Sequence, residues 1–418
     1  MTQQIRGLQH NISFQEDAAF NTKNGSFSSL RKFLGIWGWA PEQFKKGTIE
    51  NQVTRADLGS NQPGVGLPCD NSTLNFSCYP QGVGVVGSTL GAGDSETPVA
   101  NAFTYLLEAS LGGTAVVTDG TTIKAASTPT ATEVKETDAG NHASNGIVAV
   151  EDVRSGAAYT GKLVARPYNT YSTDTMTLLM ALPAALVSAM AAGDTIFGGL
   201  QVTSTEVPTQ TLQGDILGYR ASHNFEFFGA IFNFSIGEVE NGEAPVFSFE
   251  GKIGSYTRDI ATSRTSVNSL RPVVLAGGEF ILAKYGTTTV TYLQCLKFGF
   301  NLNRTWTKQS GQNIYGISGW VLTNQASELV LYVEDNATVP SGFTSTTYQQ
   351  IFDDLALDEN QFHYQMTLCG FPGRTIVMYL PHIHLSQEPV HAIMEDIGYL
   401  KLTFALSQGS NEIRMKQY

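Results

Sequence analysis

This sequence of 418 residues has little charge, and it has few cysteines. Only 15% of its residues are charged, against roughly 25% in a typical soluble domain. Acidic residues outnumber basic ones by 37 to 25, and the net charge of −12 disfavours a sequence-specific DNA-binding protein, which needs a basic surface. Low charge combined with 42 Gly and 23 Phe excludes a disordered chain, a coiled coil and a helical solenoid. It favours β-structure whose surface is largely covered by other protein.

The cysteines are too few and too scattered for a disulfide framework. They are Cys69, Cys78, Cys295 and Cys369. Reduced thiols are the expectation for a protein made in a cytosol. The first residues carry no signal-peptide pattern, and the longest apolar stretch, residues 176–192, is interrupted by Pro183. We therefore expect no membrane association.

The first 60 residues predict an N-terminal arm followed by a short helix. Leu30, Phe33, Leu34 and Trp37 follow the i, i+3, i+4, i+7 spacing of one helix face. Such a helix either packs on its own domain or docks on a neighbouring subunit.

The remaining chain predicts two similar β-domains, each with one short helix. Residues 61–256 form the first domain, 257–272 a polar linker and 273–418 the second, because each half runs from strands through a helix to a closing hairpin. A chance match of β-patterns is the alternative. Residues 112–146 hold few large apolar side chains, so we expect a loop insertion or loose hairpin outside the core.

No catalytic motif is present, so the sequence predicts a protein that is not an enzyme, with no catalytic residue, no cofactor and no metal. Residues 82–87 match GxGxxG, but no βαβ pattern surrounds them. His382, His384 and His391 favour a structural role over a zinc site, for which Glu388 is the nearest further ligand. Two acidic pairs near a helix end, at 353–354 and 358–359, are typical of a solvated surface.

Several segments resemble strands of tailed-bacteriophage tail tube proteins, also called major tail proteins. Ile231-Phe-Asn-Phe-Ser-Ile and the Gly-Glu-Ala-Pro turn at 242–245 resemble one hairpin of that family. Residues 292–304 resemble the strand that opens its second half, and residues 375–385 with 396–404 resemble its C-terminal hairpin. The resemblance covers about residues 210–418, with a looser echo at 60–110, and leaves 1–60 and 112–160 unmatched.

The resemblance implies a mainly β chain with two tandem tail-tube-like β-sandwich or barrel domains. Such subunits close into rings through shared sheet edges, and the rings stack into a hollow virion tube through which DNA passes. The implied partners are other copies of the chain, the tape measure, the terminator and the baseplate, and DNA in transit. Two tube domains per chain imply a homotrimer with pseudo-six-fold symmetry; a homohexamer is the alternative.

Three acids mark the candidate functional hairpin. Glu238, Glu240 and Glu243 lie within seven residues and are expected to face the tube lumen or a neighbouring subunit, or else to form a solvated turn. An acidic wall would repel phosphates and let DNA slide. The rival classes are another virion structural protein, such as a capsid decoration or baseplate component, and a glycan-binding or adhesive β-protein.

Overall fold

The structure is a computed structural model. It describes residues 10–17, 32–40, 47–49, 65–67, 72–83, 98–124, 130–137, 142–156, 158–159, 161–217, 225–240, 242–258, 273, 278–310, 317–354, 360–394, 397–406 and 413–418. The predicted linker 257–272 lies outside these residues apart from its first two positions.

The described chain is mainly β, and all its strand ladders are antiparallel. The strands of the first half are β1 His10–Glu16, β2 Lys32–Ile36, β3 Gly47–Ile49, β4 Val65–Leu67, β5 Thr73–Cys78, β6 Val116–Thr118, β7 Thr121–Thr122, β8 Glu133–Lys135, β9 Gly146–Glu151, β10 Leu163–Ser172, β11 Thr175–Leu178, β12 Thr195–Phe197, β13 Gly199–Thr203, β14 Leu212–Leu217, β15 Phe225–Glu240, β16 Phe247–Lys252 and β17 Ser255–Arg258. The strands of the second half are β18 Glu279–Lys284, β19 Thr291–Tyr292, β20 Cys295–Asn301, β21 Arg304–Ser310, β22 Ile317–Gln325, β23 Glu328–Glu334, β24 Phe362–Leu368, β25 Ile376–Leu385, β26 Val390–Met394, β27 Ile397–Leu406 and β28 Arg414–Gln417. The helices are α1 Ala102–Leu111, α2 Ala184–Ala189 and α3 Tyr348–Asp353.

A continuous sheet forms the main body. Its strands pair in the order β6–β13–β28–β25–β27–β23–β20–β15–β16–β5. β15 is long enough to serve two parts of this body: residues 225–230 pair with β14 and β17, and residues 231–240 pair with β16 and β20. The β15–β20 and β13–β28 pairs join the two halves of the chain.

Helix α1 lies inside the main body, with nine of its ten residues buried. Asn101 begins it with a capping box, in which the Asn101 side chain accepts from the Thr104 N–H and the Thr104 hydroxyl accepts from the Asn101 N–H. Such a box satisfies N–H groups that the first turn leaves free. At the other end, the Arg304 guanidinium donates to the carbonyl of Leu111 at 2.5 Å. A cation there complements the helix dipole, so a side chain of the second half stabilises a helix of the first.

A second, smaller sheet is inserted between β6 and β13. Its strands pair in the order β7–β12–β9–β10–β11–β8, and an Ile123–Glu136 bridge with a hydrogen bond from the Thr137 N–H to the Thr122 carbonyl returns β8 to β7. The six strands therefore close into a small barrel spanning residues 121–197. We refer to this unit as the inserted barrel.

Alternation along the barrel strands sends side chains to two apolar clusters. On β9, Val148 and Val150 fill the barrel, whereas Ile147 and Ala149 face the main body and contact a cluster that includes Val377. Successive strand residues point to opposite faces, so a continuous apolar run is the expected pattern for a strand buried on both sides.

The chain enters and leaves the barrel through a narrow neck. A Cβ added at Gly198 would lie 2.6 Å from the amide nitrogen of Gly120 and 2.6 Å from the carbonyl oxygen of Thr118. No side chain fits at that distance, so glycine is required where the two chain segments cross.

Two predictions about this part of the chain are wrong. Residues 32–36 form strand β2 instead of a helix, because Leu34 and Ile36 alternate into the core while the backbone pairs with β1. β2 packs within its own chain. Residues 112–146 are not outside the core, because they supply the barrel strands β7 and β8 and the buried side chains Ile123 and Val134. Short Thr-rich strands become stable here through barrel closure, which leaves little trace in local composition.

Candidate functional site

The acidic hairpin predicted from the sequence is the turn between β15 and β16. These strands pair from Ile231 opposite Lys252 to Ile236 opposite Phe247. Beyond that point β15 leaves β16 but stays paired with β20 as far as Glu240, opposite Lys297, and Gly242, at φ +94°, reverses the chain. A positive φ strongly favours glycine, which explains the position of the turn.

Glu238 differs from the other two acids because it forms an ion pair. Its carboxylate accepts from the Tyr332 hydroxyl at 2.6 Å and lies 2.8 Å from Nζ of Lys297. The hydrogen bonds from Lys297 and Tyr332 hold the pKa of Glu238 below its usual range, and Glu238 raises the pKa of Lys297. Glu238 therefore stays charged, but its charge is locally balanced by Lys297.

Glu240 and Glu243 form the exposed acidic tip. The Glu243 N–H donates to the Glu240 carbonyl at 3.1 Å, and the Glu240 N–H lies 3.4 Å from Oε2 of Glu243. Both side chains are exposed, and neither has an ion pair among the described residues. We call these two residues the acidic tip.

Sequence reasoning missed the basic and aromatic side chains beside Glu238. The ammonium groups of Lys297 and Lys401 each lie 5.7 Å from the centre of the Tyr332 ring, and Tyr332 packs on Tyr399 at 5.4 Å. Two lysines against one ring form cation–π contacts. The two lysines come from β20 and β27, which are distant in the sequence but both pair with β23. The one sequence signal for this cluster is the presence of a lysine within each of these apolar strands.

The histidines singled out in the sequence do not come together with acids in a ligand set. His382 has φ +52°, bonds through Nδ1 to Gln361 at 3.1 Å and packs on Tyr285 at 3.8 Å. His391 instead pairs with Asp335. No group of three or more His, Cys, Asp or Glu side chains in the described part of the chain could hold a metal.

A further histidine, which the sequence did not highlight, is buried beside His382. His363 Nδ1 lies 2.7 Å from the Tyr379 hydroxyl, and Nε2 accepts from the Gly286 N–H at 3.3 Å. Burial lowers its pKa to about 4. His363 is therefore neutral near pH 7 and acts as part of the core.

The remaining residues singled out in the sequence, which are the cysteines, the GxGxxG match and the acidic pairs, make structural contacts where they are described. Cys78, Cys295 and Cys369 are buried free thiols, whereas Cys69 lies outside the described residues. Gly82 lies against the loop at 373–374, where an added Cβ would be 2.7 Å from the backbone. Asp353 accepts from Gln349 at the end of α3, and residues 358–359 are outside the described part.

The sequence matches no protein-family model, and no curated protein is similar enough to be a relative. None of the helices in the described residues is long and apolar enough to cross a membrane.

Proposed function

We propose that this chain is a structural subunit of a bacteriophage tail tube, made in the host cytoplasm and assembled into virion tails. In this proposal copies of the chain close into rings through their sheet edges, and the rings stack into a conduit for DNA. The two halves of the chain act as two tandem tube domains. The tape measure, terminator and baseplate proteins are the further partners of such a tube.

Open strand edges carry the proposal. β26 pairs only with β27 and β6 only with β13 among the described strands. Both strands expose apolar side chains: Ile393 is 77% exposed on β26, and Val116 and Val117 are 45% and 46% exposed on β6. Proteins that remain monomeric usually protect such edges with charge, proline or bulges, so these strands suit a subunit that pairs with its neighbours.

The acidic tip supports the conduit. Glu240 and Glu243 are exposed at the turn of the β15–β16 hairpin, beyond the last β15–β16 pair at Ile236 and Phe247. An exposed turn at the end of two sheet strands can present its charge to a lumen. Carboxylates repel DNA phosphates and prevent adhesion to the wall.

Electron microscopy of the purified chain tests assembly directly. We expect rings or tubes from the unmodified chain, and loss of them in Ile393→Lys, because a lysine on an edge strand opposes strand pairing. Val207→Lys is the matched control, since Val207 is 73% exposed but lies outside the strands.

Other outcomes point to other functions. Closed shells, or binding only to preformed capsids, would indicate a different virion component. A monomer that binds glycans in a screen would indicate an adhesive β-protein. Equal assembly of Ile393→Lys and Val207→Lys would show that β26 is not the pairing edge.

A further inference from the structure

Strand β28 holds the inserted barrel on the main body. Nζ of Lys416 donates to the carbonyl oxygen of Ile147 at 2.7 Å, and the Tyr418 hydroxyl donates to the same oxygen at 3.1 Å. Arg414 donates to the carbonyl of Tyr168 at 2.9 Å. Two cations of the main body are thus buried against carbonyl groups of the barrel.

An acid and an imidazole of the barrel face this contact. The side chains of Glu136 and His142 are fully buried, with Nε2 of His142 3.1 Å from Oε2 of Glu136. The other carboxylate oxygen of Glu136 accepts from the Tyr171 hydroxyl. The rings of Tyr168 and Tyr171 stand edge-on to the imidazole, at 6.2 and 5.9 Å between centres.

This packing suits a neutral imidazole. Nδ1 of His142 is buried and has no hydrogen-bond partner among the described residues, and Nε2 lies beside Oε2 of Glu136 without the alignment of a hydrogen bond. Protonation would place an N–H at Nδ1 without an acceptor, and a buried donor without a partner is costly. It would also add a positive charge that interacts unfavourably with Lys416. The single carboxylate of Glu136 acts on both His142 and Lys416, and it cannot balance a positive charge on each of them.

The pKa shifts agree with the geometry. Burial, followed by the charge of Lys416, lowers the pKa of His142 below its ordinary 6.5, and Glu136 opposes this. Burial lowers the pKa of Lys416 from 10.5 to about 7. Both groups are bases with depressed pKa values, so the separated state binds more protons than the packed state. The packing free energy is therefore fully present at high pH. It declines as the pH falls from 10.5 towards 7, because Lys416 gains its proton more readily in the separated state. It declines further below pH 6.5, where His142 does the same.

We propose that Glu136, His142 and Lys416 form an acid-sensitive latch, which holds the inserted barrel on the main body at neutral pH and loosens it in mildly acidic solution. The neck at Gly120 and Gly198 keeps the two units covalently joined while the interface opens. This proposal does not depend on the proposed tube function.

Hydrogen–deuterium exchange of the whole chain tests the latch. Protection factors, corrected for the intrinsic pH dependence of exchange, are compared at pH 7.5 and 5.5. We expect those of β9 and β28 to fall severalfold at the lower pH, while those of β5 and β16 remain unchanged. In His142→Gln this fall should be largely lost, because glutamine keeps a donor towards Glu136 but does not titrate.

A matched variant and a second substitution make the test decisive. His391→Gln removes an exposed histidine of the main body and should retain the full pH response. Lys416→Gln removes the positive charge that repels a protonated His142, so it should also reduce the loss of protection at pH 5.5. This second variant keeps the test informative if His142→Gln folds poorly. An undiminished fall in both His142→Gln and Lys416→Gln would overturn the latch, as would an equal fall in β5 and β16, which would indicate global unfolding.

Discussion

Glu108 is a buried acid in the middle of an apolar core. It is 3% exposed on α1, and its Oε1 accepts from the Ala115 N–H at 2.6 Å, while Oε2 has no partner among the described residues. Burial raises its pKa to about 7, against the hydrogen bond from Ala115, and Glu16 adds to the rise. The carboxyl is therefore best accommodated in its neutral form.

Replacing Glu108 should make the stability of the protein less sensitive to pH. Because the folded-state pKa is raised, the unmodified chain loses stability as the pH rises from 4.5 to about 7. Glu108→Gln keeps the acceptor for Ala115 without the charge. We expect it to raise the free energy of unfolding at pH 8 by up to ~3 kcal/mol, from the conversion of pKa units into energy, with little change at pH 4.5. Urea unfolding measures both values.

The control for this variant is Glu388→Gln, which changes an exposed acid and should leave the stability unchanged at both pH values. An equal gain for Glu108→Gln at pH 4.5 and pH 8 would show that packing, and not charge, causes the effect.

At the scale of single elements, the β15–β16 hairpin combines one acid in an ion pair, Glu238, with two exposed acids, Glu240 and Glu243, that form no ion pair among the described residues. Glu238 neutralises Lys297, so its replacement would disturb the contact with Tyr332. The acidic tip can be changed without that contact. Glu240 and Glu243 are therefore the residues on which the proposed role in DNA passage is best tested.

Reversing the charge of the acidic tip should slow DNA ejection if the chain forms a tail tube. In phage carrying Glu240→Lys with Glu243→Lys, we expect assembled tails but ejection slowed severalfold, and more strongly at low salt, because lysines attract phosphates. Dye-monitored release of DNA from purified particles gives the rate. Asp353→Lys with Glu388→Lys reverses two other exposed acids; ejection slowed equally in that variant would place the acidic tip outside the lumen.

The elements that the sequence predicts well are those with strong local signals. Helix α1 follows from its apolar stripe, and the β15–β16 hairpin follows from alternating phenylalanines around a Gly-containing turn. Leu34 and Trp37 also satisfy helical spacing, so only the pairing of β2 with β1 decides that this segment is a strand. The contact of Lys297 with Glu238 could not be predicted, since it depends on a register shift between β15 and β20.

At the scale of the whole molecule, the two halves of the chain differ in charge, but their strands belong to one sheet. Residues 1–260 hold 25 acids and 15 bases, net −10, and residues 261–418 hold 12 acids and 10 bases, net −2. The strands of these halves nevertheless share one sheet through β15–β20 and β13–β28. The sequence did not reveal the inserted barrel, because β7, β8, β11 and β12 have four residues or fewer and the closure joins β7 to β8 across a Thr-rich segment.

The number of chains per ring follows from the proposal of two tube domains per chain. Three chains would then complete a ring with true three-fold and approximate six-fold symmetry. Fixing three bodies also costs less rotational and translational entropy than fixing six. An averaged cross-section of the tubes should show three repeats of an alternating pair of wall segments; six equivalent chains would refute the trimer and favour the homohexamer.

The position of β28 has a consequence for the order in which the molecule is made. The barrel pairs residues that are all within 121–197, so it can fold on the ribosome as soon as that stretch emerges. β13 follows it directly and can pair at once with β6, yet its second partner is Arg414–Gln417, which is synthesised some two hundred residues later. Because β28 lies between β13 and β25, the sheet of the main body can be completed only after the C-terminal strand has been made.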